Sequence, residues 1–211
     1  MSTEPTTAAP DYFSLFELPR HLQIDLAALE KTFYAQSRRL HPDRFAAKPK
    51  AEQEAALAAS SRLNDAYRTL KDSIARTEYL LSLEGIQLEE QSRAATDAAK
   101  AAGTEKKQVA PPDLLAEAFE LNMQLEELRM AKKMGEDDPS TRAGLESARD
   151  RFTRMLAEIE EQMQALWAVW DRAQDEGDTP AKEKFKTDMV ALLNRRSYAR
   201  NLVRDVNEAL S

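Results

Sequence analysis

Arg38-Arg39-Leu40-His41-Pro42-Asp43-Arg44-Phe45 separates two stretches of helical periodicity, and its proline forbids either from running into the other. Upstream, Asp25 precedes Leu26, Leu29, Phe33 and Leu40, with Tyr34 and Ser37 filling the same stripe, so a helix is expected from about Asp25 to about Leu40. His41 to Lys50, which holds Pro42 and Pro49, is then a loop. Downstream, Leu57, Ser60, Leu63, Tyr67 and Leu70 share one face of a helix from about Ala51 to Leu70, and Ala55, Ala56, Ala58 and Ala59 allow a neighbour to come close. Two short helices flank this hairpin. The first is the apolar cluster Tyr12, Phe13, Leu15, Phe16 and Leu18, stopped by Pro19; the second carries Ile74, Tyr79, Leu80 and Leu83, with Asp72 or Ser73 as its cap and Gly85 at its end.

Composition agrees with an all-α chain. Among 211 residues only five are glycine, 42% are hydrophobic, and the dominant types lose little on entering a helix. There is no cysteine, which excludes disulfides, thiolate nucleophiles and Cys-based zinc or iron-sulfur ligation, so no cofactor or resident metal is expected. No run approaches the roughly 18 apolar residues of a membrane span. The first ten residues lack the pattern of a signal peptide or organelle presequence and read as a disordered tail, which points to a cytoplasmic protein with no membrane partner. The net charge of -7 is uneven: Asp11 to Ile86 holds 11 basic and 11 acidic residues, whereas the chain downstream holds 19 and 25. An acidic second half argues against nucleic acid as a partner, because phosphate binding needs a basic surface.

Residues 87–112 are polar, rich in Ala, Lys and Glu, and end in Pro111-Pro112, as a linker would. Three long amphipathic patterns follow. The first runs from Asp113 to Met134 and is ended by Gly135. The second runs from Ser140 to about Asp175 and carries Leu145, Phe152, Met155, Leu156, Ile159, Met163, Leu166 and Trp170. The third runs from Pro180 to about Ala209, with Thr179 as N-cap, and carries Phe185, Met189, Leu192, Ala199, Leu202, Val206 and Leu210. Short turns between them predict an antiparallel three-helix bundle over 113–211, separate from a first domain over 11–86. Trp167 and Trp170 read as core.

His41-Pro42-Asp43 can be read as an ordinary turn, as half of a catalytic dyad, or as a contact device. For catalysis no serine or cysteine nucleophile has a recognisable setting, and His21, the other imidazole, reads as a plain surface residue. As a contact device the loop makes physical sense: Pro42 fixes the backbone so that His41 and Asp43 need little ordering when a partner binds. Asp43 can accept a charge-assisted bond from a partner arginine. Lys31, Arg38, Arg39, Arg44 and Lys48 form a basic strip beside it; such a strip is by default a solvated face, but next to this loop it would steer an acidic partner.

The loop, its two helices and the flanking Asp11-Tyr12-Phe13-Ser14-Leu15-Phe16, Leu63-Asn64-Asp65-Ala66-Tyr67 and Arg76-Thr77-Glu78-Tyr79-Leu80-Leu81 together resemble a J domain. That resemblance implies docking on an ATPase chaperone of the DnaK/HscA class through His41, Pro42, Asp43 and the basic strip, with stimulation of its ATP hydrolysis and no catalysis by this chain alone. Neither a Gly/Phe-rich segment nor a Cys-x-x-Cys domain follows. A linker and an acidic bundle do, and with Tyr79-Leu80-Leu81-Ser82-Leu83-Glu84-Gly85 this arrangement is similar to the HscB family of iron-sulfur assembly co-chaperones, although Ala94 to Ala110 makes the linker longer than usual. The resemblance implies that an IscU-like scaffold protein binds the first bundle helix, at positions matching Leu115, Phe119, Glu120, Met123 and Glu127, where Met123 stands in place of an expected acidic residue. The competing reading makes Phe119 and Met123 bundle core. A J protein serving another client is the alternative within the class, and an α-helical enzyme using His41 and Asp43 the alternative outside it.

Overall fold

The computed structural model describes residues 10–86, 111–136 and 138–211; the expected tail before Pro10 and nearly all of the expected linker lie outside them. Among the described residues seven α-helices are present: α1 (Tyr12–Leu15), α2 (Leu26–Leu40), α3 (Lys50–Lys71), α4 (Ser73–Leu83), α5 (Leu115–Met134), α6 (Pro139–Glu176) and α7 (Thr179–Leu210). No strand occurs among the described residues.

Local chemistry sets the helix ends. Asp11, Asp25 and Asp72 each accept backbone N–H bonds at the start of α1, α2 and α4. Asp138 does the same for α6, receiving the Ser140 and Thr141 amides at 3.1 and 3.0 Å. At α7 the cap is Asp178, which takes the Ala181 amide at 3.1 Å, rather than the expected Thr179; Thr179 is already helical. Gly135, at φ +75°, ends α5 in the left-handed conformation that side chains resist.

The helices form two compact units. One joins the described residues up to 86 with Trp167–Lys182; the other joins 111–166, without 137, to Glu183–Ser211. The sequence alone suggested a break in the linker and nothing more. Length explains the difference. At about 1.5 Å per residue the 20 residues of α5 span about 30 Å, while the 38 of α6 and 32 of α7 run well past that. α5 therefore covers only part of α6 and α7, and the stretch Trp167–Lys182, with Trp167, Trp170 and Ala173 buried, belongs to the first unit.

In the first unit α2 and α3 pair around Leu29, Leu63, Ala66 and Leu70, with Phe13, Phe16, Leu22, Leu80 and Leu81 closing the core. Each fully buried Leu or Phe stabilises by about 1.5–3 kcal/mol, which outweighs the exposed ion pairs at roughly 0–1 kcal/mol each. Polar anchors secure Trp167–Lys182. Buried Asp171 accepts the Leu22 and Gln23 amides at 2.7 and 2.9 Å, and burial pushes its carboxyl above the usual range despite those donors. Arg76, also buried, donates to the carbonyls of Leu22 and Leu70. Lys182 lies 5.1 Å from the Trp170 ring centroid and 3.9 Å from Glu84. His21 corrects the sequence reading: it is half-buried and meets Asp175 at 2.8 Å.

The second unit is the expected three-helix packing. Ala118, Leu121, Leu125 and Leu128 of α5 meet Leu145, Ala148 and Phe152 of α6 and Ala199, Leu202 and Val206 of α7 in one apolar cluster. Lys132 donates to the Ala209 carbonyl at 2.8 Å, and Arg142 to that of Leu210 at 3.3 Å, so the end of α5 and the start of α6 both meet the end of α7.

Candidate functional site

His41 takes extended angles (φ -60°, ψ 129°), as a residue before proline prefers, and Pro42 then opens a single 3-10 turn, Pro42–Phe45. The Asp43 amide donates to His41 Nδ1 at 3.3 Å. That bond requires an unprotonated Nδ1 and leaves the proton of the neutral ring on Nε2, so the Asp43 carboxylate at 3.5 Å is a neighbour of the ring and becomes an ion pair only when His41 is protonated. Arg44 N–H bonds to the His41 carbonyl at 3.0 Å, and Lys48 N–H to that of Phe45 at 2.8 Å. From the start of α3, Gln53 donates its side-chain amide to the carbonyls of Ala46 and Lys48, at 3.3 and 2.9 Å. This is the residue the sequence reading missed: it ties the loop to α3, and a glutamine in a first helical turn carries no signal of that duty.

His41, Pro42 and Asp43 are all exposed, with 89% of the Asp43 side chain open. Lys31, Arg38, Arg39, Arg44 and Lys48 are exposed too, and none makes an ion pair among the described residues. The structure thus brings the whole predicted loop and strip to one end of the α2–α3 hairpin and the adjoining length of α2. An exposed loop held by backbone and side-chain bonds suits contact with a partner. No cluster of three or more metal-ligating side chains occurs among the described residues.

Tyr34 departs from expectation. Placed on the core stripe by its spacing, it is instead 52% exposed. Its neighbour Phe33 takes the inward position and stacks on Tyr67 of α3 at 4.1 Å between centroids.

The candidate patch on α5 is exposed as well. Phe119 and Met123 are 68% and 60% open, which overturns their reading as bundle core; the inward row is Ala118, Leu121, Leu125 and Leu128. Leu115, Glu120 and Glu127 are exposed alongside them, and Met130 and Met134 extend the apolar stripe toward Gly135. An apolar row of this length on a helix whose opposite side already fills a core is uncommon on a surface without a partner.

No protein-family model matches the sequence. Among solved structures, the chain is similar to the chaperone HscB from Vibrio cholerae, at 26% identity over 96% of this chain and 100% of that one, with a TM-score of 0.56. It also shares its fold with the human co-chaperone protein HscB, at 21% identity over 98% of this chain and 84% of that one, with a TM-score of 0.61. A helical hairpin that displays His-Pro-Asp between α2 and α3, followed by a three-helix packing, is a J-type co-chaperone. The likeness to HscB from Vibrio cholerae, over nearly the full length of both chains, supports the narrower HscB family. No helix among the described residues is long and apolar enough to cross a membrane.

Proposed function

We propose that this chain is an adaptor that holds an IscU-like iron-sulfur scaffold on α5 and delivers it to a DnaK/HscA-class chaperone in the cytoplasm, stimulating the chaperone's ATP hydrolysis while catalysing nothing itself. The observation that carries this reading is the loop: an exposed His41-Pro42-Asp43 tied down by Gln53, beside five cations that make no ion pair among the described residues. A rigid loop binds with little ordering, and free cations attract an acidic surface before contact. The scaffold is assigned to Leu115, Phe119, Glu120, Met123 and Glu127, where apolar anchors lie next to carboxylates.

The test is reconstitution. Purified chain alone should hydrolyse no ATP. Added to an HscA-class chaperone it should raise turnover several-fold, and an IscU-like scaffold should raise it further. Stimulation without any scaffold binding would favour a J protein with a different client. Absence of stimulation from every DnaK/HscA-class chaperone would sink the co-chaperone reading.

A further inference from the structure

Ala27, Lys31, Tyr34, Arg38 and His41 follow one another at spacings of four, three, four and three, a single row along α2 that ends on the loop. In this row Tyr34 is the one large apolar group. It stands between Lys31 and Arg38, with Glu30 one turn earlier, and is 52% exposed. The ring is not loose: it lies 5.5 Å from Phe33, itself stacked on Tyr67, so part of the ordering needed for binding is already complete. Its hydroxyl makes no hydrogen bond among the described residues. An exposed, braced aromatic flanked by Lys31 and Arg38 has the form of an interface anchor: tyrosine is enriched among residues that carry binding energy, while charges around it chiefly set encounter rate.

We infer that Tyr34 is the affinity-determining contact with the chaperone, seated in an apolar notch on an acidic face of that protein, and that the cations on either side bring the two together without holding them. This rests on the co-chaperone reading and names a residue within its docking surface. The loop and the tyrosine then have separate duties: His41 and Asp43 trigger hydrolysis, and Tyr34 sets how much protein is needed to do so.

Titration of an HscA-class chaperone with the full chain, in ATP turnover and in surface binding, separates them. Tyr34→Ala should raise the half-maximal concentration about tenfold or more, through faster dissociation, with the maximal rate and the salt dependence of association unchanged. Tyr34→Gln, which keeps a helix-favouring side chain, should behave alike, and Tyr34→Phe should stay near the parent. His41→Gln should lose the maximal rate. Unchanged half-maximal concentration in both Tyr34→Ala and Tyr34→Gln, while His41→Gln still abolishes stimulation, overturns the anchor and leaves the co-chaperone reading standing. No stimulation by the unaltered chain overturns both. Tyr34-dependent binding to phosphatidylserine vesicles with no effect on the chaperone reassigns the residue to a lipid surface and likewise overturns the proposal.

Discussion

His41 and Asp43 are side chains whose loss should disturb little but their own contacts. Both are exposed, and the backbone bonds of their turn do not depend on Asp43's carboxylate. His41→Gln and Asp43→Asn are therefore expected to leave circular dichroism and melting unchanged while stimulated ATP turnover falls to the chaperone's basal rate. Asp11 behaves differently. Burial opposes its charge, but the Ser14 amide and the Arg20 guanidinium at 2.7 Å prevail and hold its carboxyl below the ordinary carboxylate range. A depressed pKa means that its contribution is complete above about pH 4 and is lost as pH falls through the lower folded value. Asp11→Ala should cost about 1 kcal/mol near pH 7, as loss of an N-cap does. It should also flatten the acid limb of a urea-denaturation series below pH 4; an unchanged limb would show that other carboxylates govern it. At this scale the sequence was informative where chemistry is local. The loop and a cap at Asp72 or Ser73 could be read from neighbours in the chain, whereas the partner of His21 is Asp175, 154 positions away, and no local pattern announces it.

Among the elements, α5 is apolar on two sides, and only one of them is filled. Periodicity shows that Phe119 and Met123 share a face but does not say whether that face is covered, because the stripe of a bundle helix is broad and two stripes on one short helix merge. Tyr34 was misplaced on α2 for the same reason: it sits at the edge of the core stripe, and Phe33 took the inward place against Tyr67. For α5 the consequence is testable. Replacing Phe119 and Met123 together by serine should change stability by less than about 1 kcal/mol, since surface substitutions cost little. Scaffold affinity should fall by about tenfold or more, because central apolar anchors carry most of an interface's energy. Glu120→Lys with Glu127→Lys should weaken scaffold binding and leave melting alone. A marked drop in melting temperature for the serine pair, with scaffold affinity intact in the folded fraction, would move the cargo site elsewhere on the bundle.

For the whole molecule, the joining of Trp167–Lys182 to the N-terminal residues makes a prediction about fragments. Asp171 supplies the amide acceptor that residues 11–86 lack when alone. A fragment ending at residue 88 should therefore keep its α2–α3 hairpin and lose hydrogen-exchange protection at the Leu22 and Gln23 amides, relative to the full chain. Equal protection in both would show that those amides are sheltered without Asp171. The order of the described helices was legible in the sequence; this pairing was not, because it follows from the unequal lengths of α5, α6 and α7, and length mismatch has a structural meaning only once the helices are laid side by side.

Translation gives that pairing a direction in time. Some 80 residues separate the end of α4 from Trp167, and at about 5–20 residues per second the ribosome needs roughly 4–16 s to make them. Throughout that interval the nascent chain carries its His41 loop on a unit whose last side is missing, with Leu22 and Arg76 still without Asp171's segment beside them. Chains arrested at residue 150 should be nicked by protease between Pro19 and Ile24, where completed and released chains resist, and the birth of this co-chaperone then includes its own brief spell as an unfinished protein.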